Sequence, residues 1–319
     1  MIFANCQSGA LGQILMEHKG FSSVYEWEFL PAVQDIKEQD IPDVITKVKN
    51  ADLFLYQPVS VDPIRPIELS SDYLVKQVKP SAKVISFPSI YFDGYFPHLQ
   101  TFKGYVSALN LVHDYFIAYA CSIGLSVEQT IQLIQNDNLY PKEVSIRLAG
   151  ESLKNLSDRE SEFDLDIKIS DFIRGNYKKV KLFNQFNHPK RVVFKYISEQ
   201  ILEKIGFENP CIDEAGDSHL DGIMTPIYRS TYKNLQCKFN EEYSIYSGLN
   251  NPRLTQLEVV KSFFAFYQKQ NLEEIKMHVL QTKPFVSEIV DKKVNGLVAR
   301  LTRTVTRYVT LLRGIYAAD

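Results

Sequence analysis

The chain has 319 residues, of which 45% are hydrophobic and 23% charged, with a formal net charge of −2. That length accommodates two domains, or one α/β domain with a helical extension. The near-neutral balance excludes a general attraction to nucleic acid or anionic lipid, so any anionic ligand must be held by local groups.

The opening MIFANCQSGALGQILMEHKG has no basic n-region and no apolar stretch long enough for a signal peptide or membrane span. Cys6, Cys121, Cys211 and Cys237 form no CxxC pair, a pattern expected of free thiols in a reducing cytoplasm and not of a disulfide framework or a metal site. Ile2–Asn5 reads as a short buried strand, and Leu11, Ile14, Leu15 and His18 follow at helical spacing. Val24–Phe29 alternates apolar and charged residues, as a half-exposed strand would. Asp43–Lys49 predicts a helix, Asp52–Tyr56 a buried strand, Glu68–Val78 a helix and Lys83–Phe87 another buried strand. This alternation predicts an α/β fold, with an N-terminal doubly wound, mainly parallel, Rossmann-like sheet over residues 1–104.

Residues 105–319 read as a large, mainly helical C-terminal part. Val106–Ile123 is its first helix, and Ser126 with Gln129 and Ser157 with Glu160 have the spacing of capping boxes. A strand over Lys179–Phe183 precedes Asn187-His188-Pro189 and a helix over Arg191–Ile205. Residues 206–252 carry little periodicity, and so long a stretch is either a lid or a misread element. Arg300, Arg303, Arg307 and Arg313 lie along the last helix, Val294–Tyr316, as a solvated outer face or an anionic-surface anchor.

Ligands of doubly wound sheets bind beyond the carboxyl ends of the strands. Those ends here carry Asn5-Cys6-Gln7-Ser8-Gly9, Gln57-Pro58 and Pro88–Tyr95, so three loops are expected to face one crevice. Cys6 at a helix N-terminus has a position that favours the thiolate, and the backbone amides of Gln7 and Ser8 suit an oxyanion or phosphate. The alternative is a small buried residue without chemistry. His188 has the ordinary chemistry of a general base, or is a structural histidine before Pro189. Of Tyr91, Phe92, Tyr95 and Phe96, the two tyrosines suit a pocket wall and the rest core packing. His98 and His113 belong to helical packing patterns, and the acidic Asp213–Asp221 stretch with His219 fits no metal-loop spacing. No glycine-rich dinucleotide or Walker-type phosphate loop is present, so nicotinamide and nucleoside-triphosphate chemistry have no support.

The run Asn5-Cys6-Gln7 after the first strand resembles the Gly-Asn-Cys-Gln opening of the WcbI-type polysaccharide-biosynthesis family, with Ala4 in place of the glycine. Ser86-Phe87-Pro88-Ser89-Ile90-Tyr91-Phe92-Asp93-Gly94-Tyr95-Phe96-Pro97 resembles that family's second signature, and Gln57 and Asn187-His188-Pro189 follow its pattern. The resemblance implies a CoA-binding sugar O-acetyltransferase of capsule or surface-polysaccharide biosynthesis, with acetyl-CoA as donor and a sugar or glycan as acceptor. It implies that Cys6 is nucleophile or thioester-site wall and that His188 is the base. The backbone amides of Gln7 and Ser8, with the Gln57 side chain, would hold the oxyanion, and Ser8, Ser89, Tyr91, Tyr95 and Arg191 would line the CoA site. Lys103, Arg147 and Arg191 are candidate phosphate contacts only because they follow the functional loops or lie on nearby helices. The layout is similar to SGNH hydrolases, whose Asp-x-x-His pair completes a triad. Here Gln185 stands where that Asp would be, so a carboxylate for His188 must come from elsewhere. An SGNH-like esterase or deacetylase on an acylated sugar, and a non-catalytic CoA- or sugar-binding protein, are the alternatives. A homo-oligomer is left open.

Overall fold

The computed structural model describes residues 1–296 except 62, 64, 103–105, 108, 110, 214, 217–219 and 249–250. Lys103, His219 and the arginines from Arg300 onward lie outside the described residues. In chain order the elements begin with β1 (Ile2–Phe3), α1 (Gln7–Glu17), α2 (Lys19–Ser22), α3 (Ile41–Asn50), β2 (Leu53–Tyr56), α4 (Ser71–Gln77) and β3 (Lys83–Ser86). Next come β4 (Leu99–Thr101), β5 (Val112–Asp114), α5 (Tyr115–Ser122), α6 (Val127–Ile134), α7 (Lys142–Glu162) and α8 (Ser170–Asn176). Then follow β6 (Phe183–Gln185), β7 (His188–Pro189), α9 (Arg191–Ile205), α10 (Arg229–Leu235), β8 (Ile245–Gly248), β9 (Asn251–Thr255), α11 (Gln256–Tyr267) and α12 (Leu272–Thr282). Among the described residues no helix is long and apolar enough to cross a membrane.

Two compact units divide the chain. The first comprises Met1–Pro97, Ser145–Pro226 and Leu235–Glu241; the second comprises His98–Val144, Ile227–Asn234 and Glu242–Asp319. Residues after 104 are therefore shared between both units, and residues 206–252 contain α10 and β8.

The sheet of the first unit has three parallel strands in the order β1-β2-β3. Successive side chains alternate between faces. Phe3, Phe54 and Tyr56 thus share one face, where Val44 and Val48 of α3 and Leu74 of α4 cover them. The α3 stripe of Ile41, Val44 and Val48 has the spacing an amphipathic helix needs for this, and Pro42 sits in its first turn, where no backbone donor is lost. Ile2, Leu53 and Leu55 face the opposite way, beside Gly12 and Leu15 of α1, which packs in turn on α9. Burial on both faces explains why these strands are continuous apolar runs. The order of the described strands follows the chain, so the reversal that defines a doubly wound sheet is not among them.

Four expectations are corrected. Val24–Phe29 is not a strand; Tyr25 and Trp27 turn back onto α2 and α1 while Glu26 and Glu28 stay exposed, which produces the same alternation without a ladder. The helix expected from Val106 starts at Tyr115, because Asp114 accepts from Phe116 N and Ile117 N and caps it there. The strand expected over Lys179–Phe183 lies at β6, which folds back antiparallel on β7 and places Asn187 in the connecting turn. The Ser157/Glu160 pair caps nothing of its own, since α7 runs through both. Glu160 instead accepts from Ile169 N at 2.6 Å, Ser170 N at 2.9 Å and the Ser170 hydroxyl, holding the start of α8. The Ser126/Gln129 box forms as expected, with both reciprocal bonds present.

In the second unit α5 is buried from Tyr115 to Cys121 and packs with α6, α11 and α12. Its core holds polar groups as well. The His98 ring stacks on Tyr228 at 4.0 Å, and its Nδ1 lies 3.2 Å from the Tyr140 hydroxyl. Tyr228 donates to Asp114, whose carboxyl burial pushes up to about 6. Burial likewise holds His98 well below the usual imidazole range, so it is neutral. His113 is equally buried, 2.7 Å from the Tyr267 hydroxyl.

Because Glu160 is 2% exposed and serves three donors, Glu160→Ala is expected to destabilise the protein by about 3 kcal/mol. Glu160→Gln, which keeps an acceptor, should cost distinctly less. A urea midpoint shift at constant slope measures both.

Candidate active site

Gln7 and Gln57 are 0% and 1% exposed, and their amides bond to one another: Gln57 Nε2 donates to Gln7 Oε1 at 2.9 Å. Gln57 Nε2 also donates to Pro88 O at 3.2 Å, and its Oε1 accepts from Asn5 N at 3.0 Å. Gln7 Nε2 donates to Ile90 O at 2.8 Å and Asn187 O at 3.1 Å, and Gln7 Oε1 accepts from Ile90 N at 3.1 Å. The loops after β1, β2 and β3 and the β6–β7 turn are thereby tied together. Both donors of each amide are used inside the protein.

This use overturns part of the expected oxyanion site. Gln57 has no N–H left for a ligand. Gln7 N donates to Asn5 Oδ1 at 2.9 Å, and Ser8 N donates to Asn5 O at 3.0 Å, so the two backbone amides are consumed within the turn. Ser8 is itself buried.

Cys6 occupies the N-cap position of α1, half-buried, with no side-chain capping bond. Burial is the largest influence on its thiol and pushes it above the ordinary 9.0; a backbone hydrogen bond pulls the other way, and the Asp35 carboxylate adds to the rise. The expectation of a thiolate favoured by the helix N-terminus is overturned, because desolvation of the anion outweighs the help of the turn.

Tyr91 borders Cys6. Its hydroxyl accepts from Asn5 Nδ2 at 3.3 Å and is raised by burial first and by the Cys6 thiol second. Its ring stacks on Phe186 at 6.3 Å, and the Arg159 guanidinium lies 5.9 Å from the ring centroid. Arg159 Nη2 reaches the Ser89 carbonyl at 3.5 Å; its buried Nε has no partner, and no carboxylate pairs with it among the described residues. Nothing in the sequence singled out this arginine, midway through a long helix.

Two proposed pocket residues are engaged elsewhere. Tyr95 is fully buried and donates to the Tyr177 carbonyl and to Val180 O at 3.3 Å, so its hydroxyl serves the core. Arg191 grips both oxygens of Glu17 and donates to Asp213 O, leaving its fork committed to the protein. Arg147 pairs with Glu151 at 2.9 Å one helical turn away.

His188 lies next to Asn187, whose carbonyl receives Gln7, just as Cys6 lies next to Gln7 itself. The Gln7–Asn187 bond therefore ties the turn that carries Cys6 to the hairpin that carries His188. Burial lowers the imidazole to about 4, with a backbone bond to Ile223 and the Asp221 carboxylate opposing the fall. Its Nδ1 is buried without a partner, as is Asn187 Oδ1. Asp221 is held by Asn184 Nδ2 at 2.6 Å and supplies the carboxylate influence that position 185 lacks. Gln185 itself donates to Thr225 Oγ1 at 3.1 Å. No spacing rule links Asp221 to His188, since only the fold of residues 206–226 brings it there.

An α/β unit with a cysteine on its first strand-to-helix turn and a histidine fixed beside that turn defines an enzyme-like class of site. Residues 1–210 match the family described as polysaccharide biosynthesis enzyme WcbI, and the chain belongs to that family. It is also similar to a solved structure of WcbI, described as a novel polysaccharide biosynthesis enzyme, in native form without a disulfide bond between CoA and one of its cysteines. That similarity has a TM-score of 0.81 at 21% identity, covering 91% of this chain and 97% of that one, and it shows a shared fold. No curated protein matches the chain significantly.

Two outcomes test this site. Gln57→Leu strands Asn5 N and Pro88 O and removes one of the two donors to Gln7 Oε1, and a loss of about 3 kcal/mol is expected in denaturant melts. Because the Cys6 thiol lies above 9.0, its alkylation by iodoacetamide should be slow at pH 7 and climb with pH beyond the ordinary thiol midpoint, with exposed Cys211 as internal reference. Peptide mass spectrometry reads both rates; a Cys6 rate already at its plateau at pH 7 contradicts the assignment.

Proposed function

We propose that this protein is a CoA-dependent O-acyltransferase that acetylates a sugar hydroxyl in the cytoplasmic stage of capsule or surface-polysaccharide biosynthesis. The observation that carries the reading is the Gln7–Asn187 bond that ties the turn of Cys6 to the hairpin of His188, together with three buried polar atoms of the first unit that the protein leaves unpartnered. These are Arg159 Nε, Asn187 Oδ1 and His188 Nδ1. Buried polar atoms are normally satisfied, so such an unsatisfied set suits a polar ligand. The Arg159 guanidinium makes no direct ion pair among the described residues, although the Asp93 and Glu160 carboxylates act on it from a distance, and it suits a phosphate or the developing oxyanion of a thioester. Family membership supports an enzyme of polysaccharide biosynthesis, and the WcbI neighbour's description links CoA to a cysteine. On this reading Cys6 is the counterpart of that cysteine.

Acetyl-CoA would supply an activated acyl carbon and a thiol leaving group. His188, neutral at pH 7, has its Nδ1 lone pair free when Nε2 is the donor to Ile223, and accepts the proton of the attacking sugar hydroxyl or of Cys6. The Cys6 thiol is protonated at neutral pH, so a covalent route needs that base. Asp221 favours the imidazolium that results, and the same nitrogen then returns the proton to the departing sulfur. Tyr91 and the Ser89 loop would flank the thioester, with Arg159 replacing Arg191 as the cationic contact.

His188→Ala is expected to slow single-turnover transfer from labelled acetyl-CoA by roughly a hundredfold or more, with CoA affinity nearly unchanged. Cys6→Ala abolishes transfer and protein-bound label on a covalent route, and spares transfer on a direct one. A base lowered to about 4 stays unprotonated as pH falls, so the acid limb of kcat/KM should lie near 4 and not near 6.5. CoA at about a hundred times its Kd should add roughly 2.7 kcal/mol of stability. Acetate release that no sugar diverts would point to the esterase alternative; wild-type transfer in both variants rejects the site.

A further inference from the structure

A cleft of about 330 Å³ opens in the first unit, and Cys6 is not among the residues that line it. It is bordered by Gly12 and Leu15 in the later turns of α1 and by Asn50, Asp52 and Leu53 at the start of β2, whereas Cys6 precedes α1 and Gln57 follows β2. Cys6, Gln57 and Ser89 do not line it. Its volume lies at the small end of ordinary ligand sites.

Aromatic rings form its wall. Trp27, the chain's single tryptophan, lies so close to Gly12 that a Cβ added there would stand 2.4 Å from the indole. Glycine in mid-helix is destabilising relative to alanine, and here it makes the seat for the ring. Tyr25 is stacked on Phe21 at 4.9 Å, so it too is held in place. Beyond the cleft Phe29 meets Trp27 edge-on at 5.9 Å and is 57% exposed, extending the apolar shelf. Neither the Trp27 indole N–H nor the Tyr25 hydroxyl has a hydrogen-bond partner among the described residues, and both are half-exposed.

Polar acceptors complete the mouth. Asp52 pairs with Lys79 at 2.6 Å and Glu28 with Lys47 at 3.5 Å, while Glu26 is exposed and makes no ion pair among the described residues. Pre-seated aromatic faces beside carboxylate and amide acceptors offer a pyranose both of its needs. Its C–H face covers the ring, and its hydroxyls donate to oxygen while accepting from the indole N–H. The Met1 amine also lines the cleft, facing Glu28 and Asp52, but burial shifts it towards its neutral form, so the carboxylates exceed Lys47 and Lys79 and the mouth disfavours phosphates, uronates and CoA itself.

We propose that this cleft, walled by Trp27 and Tyr25, is a binding site for a neutral saccharide, separate from the Cys6 site. The shelf at Phe29 lets it hold more than one ring, as an anchor for a glycan chain. The assignment does not depend on the acyltransferase reading.

Trp27 reports on its own site. The intact protein is titrated with maltotriose, mannotriose, tri-N-acetylchitotriose and, as the anionic comparison, trigalacturonate, while tryptophan emission is followed. A saturable change is expected with at least one neutral trisaccharide, and binding to trigalacturonate at least about tenfold weaker. Tyr25→Ala should weaken the neutral ligand about tenfold or more, and the exposed Glu26→Ala, which disturbs no packing, about threefold. Both should leave the Cys6 alkylation rate and CoA binding as in the wild type, so this site and the acyltransferase reading stand or fall separately. No saturable change with any neutral trisaccharide up to about 10 mM, equal or tighter binding of trigalacturonate, or unaltered affinity in both variants overturns the assignment.

Discussion

Two buried amides, Gln7 and Gln57, carry the architecture of the candidate site. Parallel strands end in loops whose backbone groups have no ladder partner, and burying several such loops together requires every one of those groups to be satisfied. The Gln7–Gln57 pair does this for Asn5 N, Pro88 O, Ile90 N, Ile90 O and Asn187 O. Each amide presents donors and an acceptor on one rigid plane, which a hydroxyl or a carboxylate could not match. The positions of Cys6, Tyr91 and His188 follow from those bonds, because each is one residue from a group the amides hold. Such a network in a low-dielectric interior is stabilising only when complete, and so it also fixes the geometry.

Burial then decides the charge state of what the amides position. The Cys6 thiol rises and the His188 imidazole falls for the same reason: removing water penalises whichever form is charged. At neutral pH the Cys6 thiol and the His188 imidazole are therefore both neutral. Arg159 is the exception, a guanidinium kept partly out of water without a direct ion pair among the described residues. His98 and Asp114 show the contrasting case. They are as deeply buried, but they are set among Tyr140 and Tyr228 in a closed core where such groups serve packing.

Much of the fold was legible locally. The three strands, α3 and α9 follow from runs and periods of apolar residues, and the Ser126/Gln129 cap from a spacing that closes on itself within one turn. The same local signals misled at Val24–Phe29, where alternation came from aromatic side chains folding back onto helices. They misled again at Glu160, whose apparent box partner Ser157 sits in the same helix while its true donors lie at the start of the next. Gln7 and Gln57 were singled out for a ligand role, but the Gln7 backbone N–H is spent on Asn5 and the Gln57 amide on Gln7 and Pro88.

The sequence by itself determined that a cysteine would stand at the first strand-to-helix turn, with polar, aromatic loops after the next two strands and a histidine before α9. It determined these because each depends on residues a few positions apart. Only the tertiary structure decided that Arg159 would stand over Tyr91, that Asp221 would bear on His188, and that Tyr95 and Arg191 would turn inward to carbonyls and to Glu17. It alone decided the protonation of Cys6 as well. These outcomes depend on groups far apart in the chain and on how much water the fold excludes from them, and neither leaves a periodicity or a spacing to read.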